Sequence, residues 1–299
     1  MRRCIINTMQ IRIHHKNLLK YFPKSLLRLI RDDGDLDIMP GEHVRIEACV
    51  LFADIRNFTA ISESLSSDEV FDLMNEFINQ IMPAVSENGG ILDKIVGDAF
   101  LAIFPDSAAD AVNCAIDLAG RLEKFNNSVR DKEYYPLKIG IGIHKGSCTV
   151  GVIGNENFNQ ITILGDAVNL SSRIEAVTKT YQTQILVSDS VYRGMDNPNG
   201  LYWREVDSVR VKGKDHPVVL YEVSDPGSES SIKERVISED YVNALILYKA
   251  GIFSESKILF EKCLAVFPDD AVLQIYIKRC ATFMRLPPGK DWSGITGIL

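Results

Sequence analysis

Two aspartates in this chain close apolar runs at points where a carboxylate is costly. Asp54 ends the strand-like stretch 48–53 and leads into Ile55, Arg56, Asn57, Phe58 and Thr59. Asp98 follows Gly97 in a short turn between two more apolar runs, Ile91–Val96 and Ala99–Phe104. A carboxylate at the exit of a buried strand needs a donor or a cation to meet it. Asp54 or Asn57 could meet that need as the N-cap of a following helix. The alternative is a cation. Two carboxylates held side by side cannot both stay ionised without one between them. Oxygen-only ligands of this kind suit Mg2+ or Mn2+, which accept one or two carboxylates together with phosphate oxygens and water.

The surrounding elements decide whether the two aspartates meet. From residue 42 the pattern predicts a strand over 46–53, then a helix over 68–88 capped by Ser67 or Asp68. Val70, Phe71, Met74, Phe77, Ile78 and Ile81 line one face of that helix, and Gly89-Gly90 end it. The apolar pair around Gly97-Asp98 follows, then a helix over 107–130 and a strand over 137–144 with alternating glycines. That order is β-α-β-β-α-β, an α+β ferredoxin-like arrangement. In such a sheet the first strand lies beside, and antiparallel to, the strand leaving the hairpin. The end of strand one, Asp54, is then next to the start of that later strand, Asp98.

Downstream, 149–154 reads as a further hairpin, and 161–164 as a strand that enters a helix near Asp166. Asn169 and Arg173 are four apart and share one face of that helix. Arg173 could simply pair with Glu175 or Asp166 at the surface. Strands are expected at Ile185–Ser188 and 218–223. Between them, Lys212 and Lys214 flank Gly213 in a basic turn that fits either phosphate or plain solvent. The polar stretch 225–231 reads as a linker. In the helical stretch 237–285, Gly251, Phe260 and Pro268 fall at the spacing of one tetratricopeptide-like repeat, with Ser256 and Cys263 where alanine is usual. One repeat cannot bury its own face, so it must pack on something: its own domain or a protein partner.

Composition sets the outer bounds. The 299 residues are 46% apolar and 24% charged, with a net charge of −7, which excludes a nucleic-acid binder as the reading of the whole chain. Residues 1–31 carry eight basic side chains and no acidic one. Over 16–31 these alternate with Leu and Phe at helical spacing, around Pro23. This basic helix fits a coil between two copies, an anionic membrane face, or packing on its own domain. Six cysteines without metal-ligand spacing read as reduced thiols of a cytoplasmic protein, membrane-associated if the basic helix meets lipid. Four regions result: a basic helix and linker over 1–41, a core domain over 42–225, a linker over 226–236 and a helical tail over 237–299.

Four motifs in order give these residues a family. They are Phe52-Ala53-Asp54-Ile55 with Phe58-Thr59, Lys94-Ile95-Val96-Gly97-Asp98, Leu164-Gly165-Asp166-Ala167-Val168-Asn169 through Arg173, and Val211-Lys212-Gly213-Lys214. Together, over about 46–224, they resemble the catalytic domain of class III nucleotidyl cyclases. The resemblance implies that Asp54 and Asp98 bind two Mg2+ or Mn2+ ions, with the Ile55 backbone carbonyl on one of them. It implies that Lys94 and Thr162 read the purine, that Asn169 and Arg173 orient the ribose and stabilise the transition state, and that Lys212 holds the triphosphate. It further implies a homodimer with shared sites, the aspartates from one protomer and the remaining side chains from the other. A Lys donor at 94 suits N1 of adenine, whereas guanylyl cyclases typically carry Glu and Cys at the two base-reading places. ATP is the expected substrate and cyclic AMP the product. A guanylyl cyclase and a non-enzymatic cyclase-like module are the alternatives. A diguanylate cyclase would need an acidic cluster after the paired glycines, where this chain has Ile91-Leu92-Asp93.

Overall fold

The computed structural model describes residues 24–31, 39–105, 107–128, 135–155, 158–195, 200–211, 217–227, 229–289, 291–295 and 297–298. The basic stretch before residue 24, and with it most of the expected N-terminal helix, lies outside them. Its last turns form α1 (Lys24–Ile30). Leu26 of α1 is buried on the sheet with Ala48, Val50, Ile103 and Val150, and Arg31 grips Glu42 through Nε and Nη2 at 2.9 and 3.0 Å. Among the described residues no helix is long and apolar enough to cross a membrane.

The core elements are β1 (His43–Ile55), α2 (Phe58–Ser64), α3 (Ser67–Glu87), β2 (Ile91–Val96), β3 (Ala99–Phe104), α4 (Ala108–Ser128) and β4 (Ile139–Asn155). β1 lies between β3 and β4, antiparallel to both, and β2 pairs outside β3. This is the expected ferredoxin-like order. The register sets Asp54 opposite Ala99, so the end of β1 and the start of β3 share one sheet edge. α3 and α4 cover one sheet face, where Phe77, Ile81, Phe100, Phe104, Val112 and Leu118 form the main core.

Several local expectations change. α3 is capped by Ser66 rather than Ser67 or Asp68. The Ser66 side chain accepts from Glu69 N–H while the Glu69 carboxylate returns to Ser66 N–H, a reciprocal capping box. Asn57 precedes the short helix α2 in a left-handed conformation, with no side-chain cap bond. The stretch 149–154, expected to form a further hairpin, is one arm of a wider one whose other arm is 158–164. β4 runs unbroken through this stretch, because His43–Glu47 of β1 pairs along one side and β5 (Phe158–Leu164) along the other.

α5 (Asp166–Tyr181) crosses β4 at its glycines. A Cβ at Gly142 would fall inside the α5 backbone at Ser171 and Glu175, and one at Gly140 would collide with Arg56 and Thr178. The alternation of glycines in this strand is therefore the imprint of a helix lying directly on the backbone. Gly142→Ala is expected to cost about 2–3 kcal/mol of stability by forcing that packing apart, read as a lowered urea midpoint.

The sheet continues through β6 (Ile185–Ser188), parallel to β4. Then come α6 (Asp189–Arg193), β7 (Tyr202–Arg210) and β8 (Val218–Ser224), which set strands in the order β6-β8-β7. The tail is α7 (Glu229–Lys249), α8 (Phe253–Val266) and α9 (Ala271–Arg285), so α7 begins inside the stretch read as a linker. A short β9 (Gly297–Ile298) pairs with β7. The tail shares one core with the sheet and α5: Tyr241, Tyr248, Phe260 and Tyr276 pack with Leu170, Ile174, Val206 and Leu220. Ser256 and Cys263 are buried between the tail helices, and the Ser256 hydroxyl donates to the Ala244 carbonyl at 2.8 Å. Buried charges lock the contact. Asp207 meets Arg279 of α9 at 2.7 Å and accepts from the Tyr181 hydroxyl at 2.5 Å, while Arg204 joins Glu222 and Asp270. The face that a lone repeat cannot bury is covered by its own domain.

Candidate active site

The first half of the site forms where β1 meets the β2–β3 turn. Gly97 takes φ 62°, which turns the chain sharply enough to place Asp98 at the start of β3. Ile55 N–H donates to the Asp98 carbonyl at 3.4 Å, so backbone contact fixes the two aspartates side by side. Burial first, then hydrogen bonding with Asp54 and the charge of Asp54, push the Asp98 carboxyl up to about 6. Ile55 itself is buried at the end of β1 and pairs with Ile139. Asp54 is thus not a helix cap; α2 starts after Asn57.

Three side chains around this pair were not placed here from sequence; Glu175 was read only as a surface partner of Arg173, and it is buried instead. Lys179 of α5 donates from Nζ to Asp54 Oδ2 at 2.9 Å. Arg56 reaches under α5 to Glu175 at 3.4 Å and to the Thr178 hydroxyl. Glu175 is pushed up to about 7, by burial first and by Asp54 second. The sequence signal for this cluster is the helical spacing of Glu175 and Lys179, four apart on the face of α5 that meets β4.

Asn169 and Arg173 lie on another face of the same helix, and both are exposed. At 100° per residue, Glu175 is turned about 200° and Lys179 about 240° away from Arg173. The face that touches Asp54 and the face that carries Asn169 and Arg173 therefore point apart. The pair is brought together as one exposed row, and that row does not converge on the chain's own aspartates.

Lys94 and Thr162 do converge. Lys94 sits on β2 and Thr162 on β5, and Lys94 Nζ donates to Thr162 Oγ1. Thr162 is buried and Lys94 partly exposed. Lys212 and Lys214 lie outside the described residues. Among those described, no cluster of three or more His, Cys, Asp or Glu side chains forms a metal cage. Two carboxylates and a nearby backbone carbonyl remain, a donor set that suits Mg2+ or Mn2+ sharing its coordination with phosphate and water.

Residues 43–224 match the model of the adenylate and guanylate cyclase catalytic domain. An adenylate cyclase of Dictyostelium discoideum, terminal-differentiation specific, is 34% identical over 268 residues, covering 87% of this chain and 12% of that protein. An adenylate cyclase of Anabaena cylindrica is 37% identical over 210 residues, covering 68% of this chain and 42% of that protein. The crystal structure of the adenylyl cyclase CyaB from P. aeruginosa superimposes with a TM-score of 0.55 at 32% identity, over 62% of this chain and 96% of that one. The chain spans less than half the length of these two curated relatives. The match over residues 43–224, more than half of the chain, makes it a member of the class III adenylate and guanylate cyclase catalytic domain family.

Proposed function

We propose that this chain is an adenylyl cyclase, converting ATP to 3′,5′-cyclic AMP and pyrophosphate at two equivalent sites shared between two copies. The observation that carries this reading is the Asp54–Asp98 carboxyl pair, two acids that share one sheet edge and favour a cation between them. Asp54, Asp98 and the Ile55 carbonyl would hold Mg2+ or Mn2+, which lowers the pKa of the ribose 3′-hydroxyl and neutralises phosphate charge when bound. Lys94 and Thr162 read the adenine edge. Asn169 orients the ribose, and Arg173 offers a planar fork of donors to the charge that develops at the α-phosphate. Lys212 meets the triphosphate.

A dimer is supported by the opposed faces of α5 and by exposed apolar side chains on the β4–β5 hairpin. Ile153, Phe158 and Leu164 are 49%, 64% and 54% exposed, on the same hairpin as Thr162. Apolar exposure of this kind beside a site marks a surface that another chain covers. Purified protein given ATP or GTP with Mn2+ is expected to form cyclic AMP from ATP in preference. No cyclic product from a confirmed dimer overturns the proposal.

The acid pair also predicts a pH effect with a defined sign. Asp98 and Glu175 bind protons more tightly folded than unfolded, with values of about 6 and 7 against 3.8 and 4.5. Their contribution to stability is therefore full only below the unfolded values of 3.8 and 4.5 and is lost as the pH rises through about 6 and about 7. Without added metal, the fall in urea midpoint between pH 4.5 and pH 7.5 should be larger in the wild type than in Asp98→Asn. Millimolar Mn2+ should raise the midpoint at pH 7.5 in the wild type only.

A further inference from the structure

Asp93 sits where a regular strand would not have room for it. β2 and β3 pair residue for residue until the register slips between Leu92 and Lys94: Leu92 faces Ala102 and Lys94 faces Leu101. Asp93 is the extra residue of a β-bulge. Leu92 and Ile95 pack into the core under α3 and α4, while Leu101, opposite Lys94, belongs to the other sheet face. The bulge thus lets two successive polar residues, Asp93 and Lys94, approach Thr162 and Ile163 of β5. The Asp93 side chain is 0% exposed, with Oδ2 3.1 Å from Lys94 Nζ. Neither of its oxygens completes a well-aligned hydrogen bond within the protein. Burial raises its pKa, and the Lys94 ammonium, the Ile163 N–H and the Thr162 hydroxyl oppose that rise.

We infer that Asp93 is a positioning residue that sets the hydrogen-bond polarity of the Lys94–Thr162 couple and so makes it select adenine over guanine. The inference rests on the proposed nucleotide site and follows from counting donors and acceptors. An ammonium has three N–H donors, and a hydroxyl has one donor and two lone pairs. One donor of Lys94 goes to Thr162 and one faces Asp93. Asp93 Oδ2 and Thr162 Oγ1 flank the same Lys94 ammonium, and the Asp93 oxygens are otherwise unpartnered, so the carboxylate is an acceptor towards which the Thr162 proton turns inward. What is left facing the pocket is one ammonium N–H and one hydroxyl lone pair. Adenine presents the matching edge, an acceptor at N1 and an amino donor at C6. Guanine presents the reverse, an N1–H donor and a carbonyl acceptor. Without the carboxylate, the Thr162 hydroxyl is free to turn and donate to the guanine carbonyl.

The test uses the full chain and the variants Asp93→Asn, Thr162→Val and the double variant, each checked by thermal melting and Mn2+ binding. In Asp93→Asn, kcat/KM for ATP relative to GTP is expected to fall about tenfold or more, through KM rather than kcat. Thr162→Val should lose a similar amount. The double variant should lose no more than either single one, because Asp93 acts through Thr162. Equilibrium binding of 3′-deoxy-ATP and 3′-deoxy-GTP, which lack the attacking hydroxyl, should give the same loss of discrimination without turnover. If folded Asp93→Asn keeps the wild-type ratio in both readouts, or if the two losses add, the inference is overturned while the cyclase reading stands. If the wild type neither binds nor cyclises either nucleotide, the cyclase reading fails and this inference fails with it.

Discussion

Asp54→Asn is expected to lower cyclic AMP formation by on the order of a thousandfold or more and to leave the fold intact. The two halves of that expectation have separate physical grounds. Asn keeps the size of the side chain but removes the charge that makes the Asp54–Asp98 pair attractive to a divalent cation. The ion pair it breaks is with Lys179, whose side chain is 54% exposed, and an exposed pair of this kind contributes little to stability. Removing a like charge from beside Asp98 also relieves part of what pushes that carboxyl up. The melting temperature should therefore hold or rise as the rate collapses. Rates, melting curves and Mn2+ binding measured on the same preparation decide the matter. A variant that turns over normally, or one that loses its rate only because it unfolds, removes Asp54 from the catalytic centre.

The meeting of Asp54 and Asp98 was legible in the sequence because it follows from strand order alone. Asp54 lies at the end of the first strand and Asp98 at the start of the strand leaving the hairpin, and the ferredoxin-like order puts those two points at one edge whatever the side chains around them do. Lys94 with Thr162 and Asn169 with Arg173 were legible as motif positions. What was not legible is what depends on packing distance or on a break in periodicity. Lys179 and Arg56 reach the aspartates only because α5 lies directly on Gly140 and Gly142. A strand read from sequence shows those glycines as weak points and not as a helix seat. Asp93 is hidden for a different reason: nothing in Leu92-Asp93-Lys94 announces a bulge, and a strictly alternating strand would have turned one of Asp93 and Lys94 into the core.

The length of β4 was missed for a related reason. The strand was expected to end at residue 144 with a further hairpin at 149–154, but β1 and β5 pair across this stretch and hold it extended. The tail's need for a covering surface was legible from its single repeat. Its docking through Asp207 and Arg279 was not, because those two charges lie far apart in sequence and meet only in the folded chain.

Two inactive variants should restore each other when mixed. Arg173→Ala alone is expected to cut kcat by about a thousandfold, the range in which a transition-state arginine acts in phosphoryl transfer. Its cost in stability should be small, because Arg173 is exposed on α5. In the shared-site arrangement, Asp54 serves one site and Arg173 of the same chain serves the other. A mixed dimer of Asp54→Asn with Arg173→Ala then has one site with both lesions and one site with none. Free exchange of protomers makes half the dimers mixed, so activity should recover to about a quarter of wild type. Asp54→Asn mixed with Asp98→Asn supplies the control. Both lesions fall on the aspartate half, each site of the mixed dimer keeps one, and no activity should return. The geometry behind this is the roughly 200° turn of α5 between Arg173 and Glu175, which directs the Asn169–Arg173 row away from the aspartates of its own chain. If the first mixture stays as inactive as its components under conditions where exchange is demonstrated, Arg173 and Asp54 do not meet across a dimer.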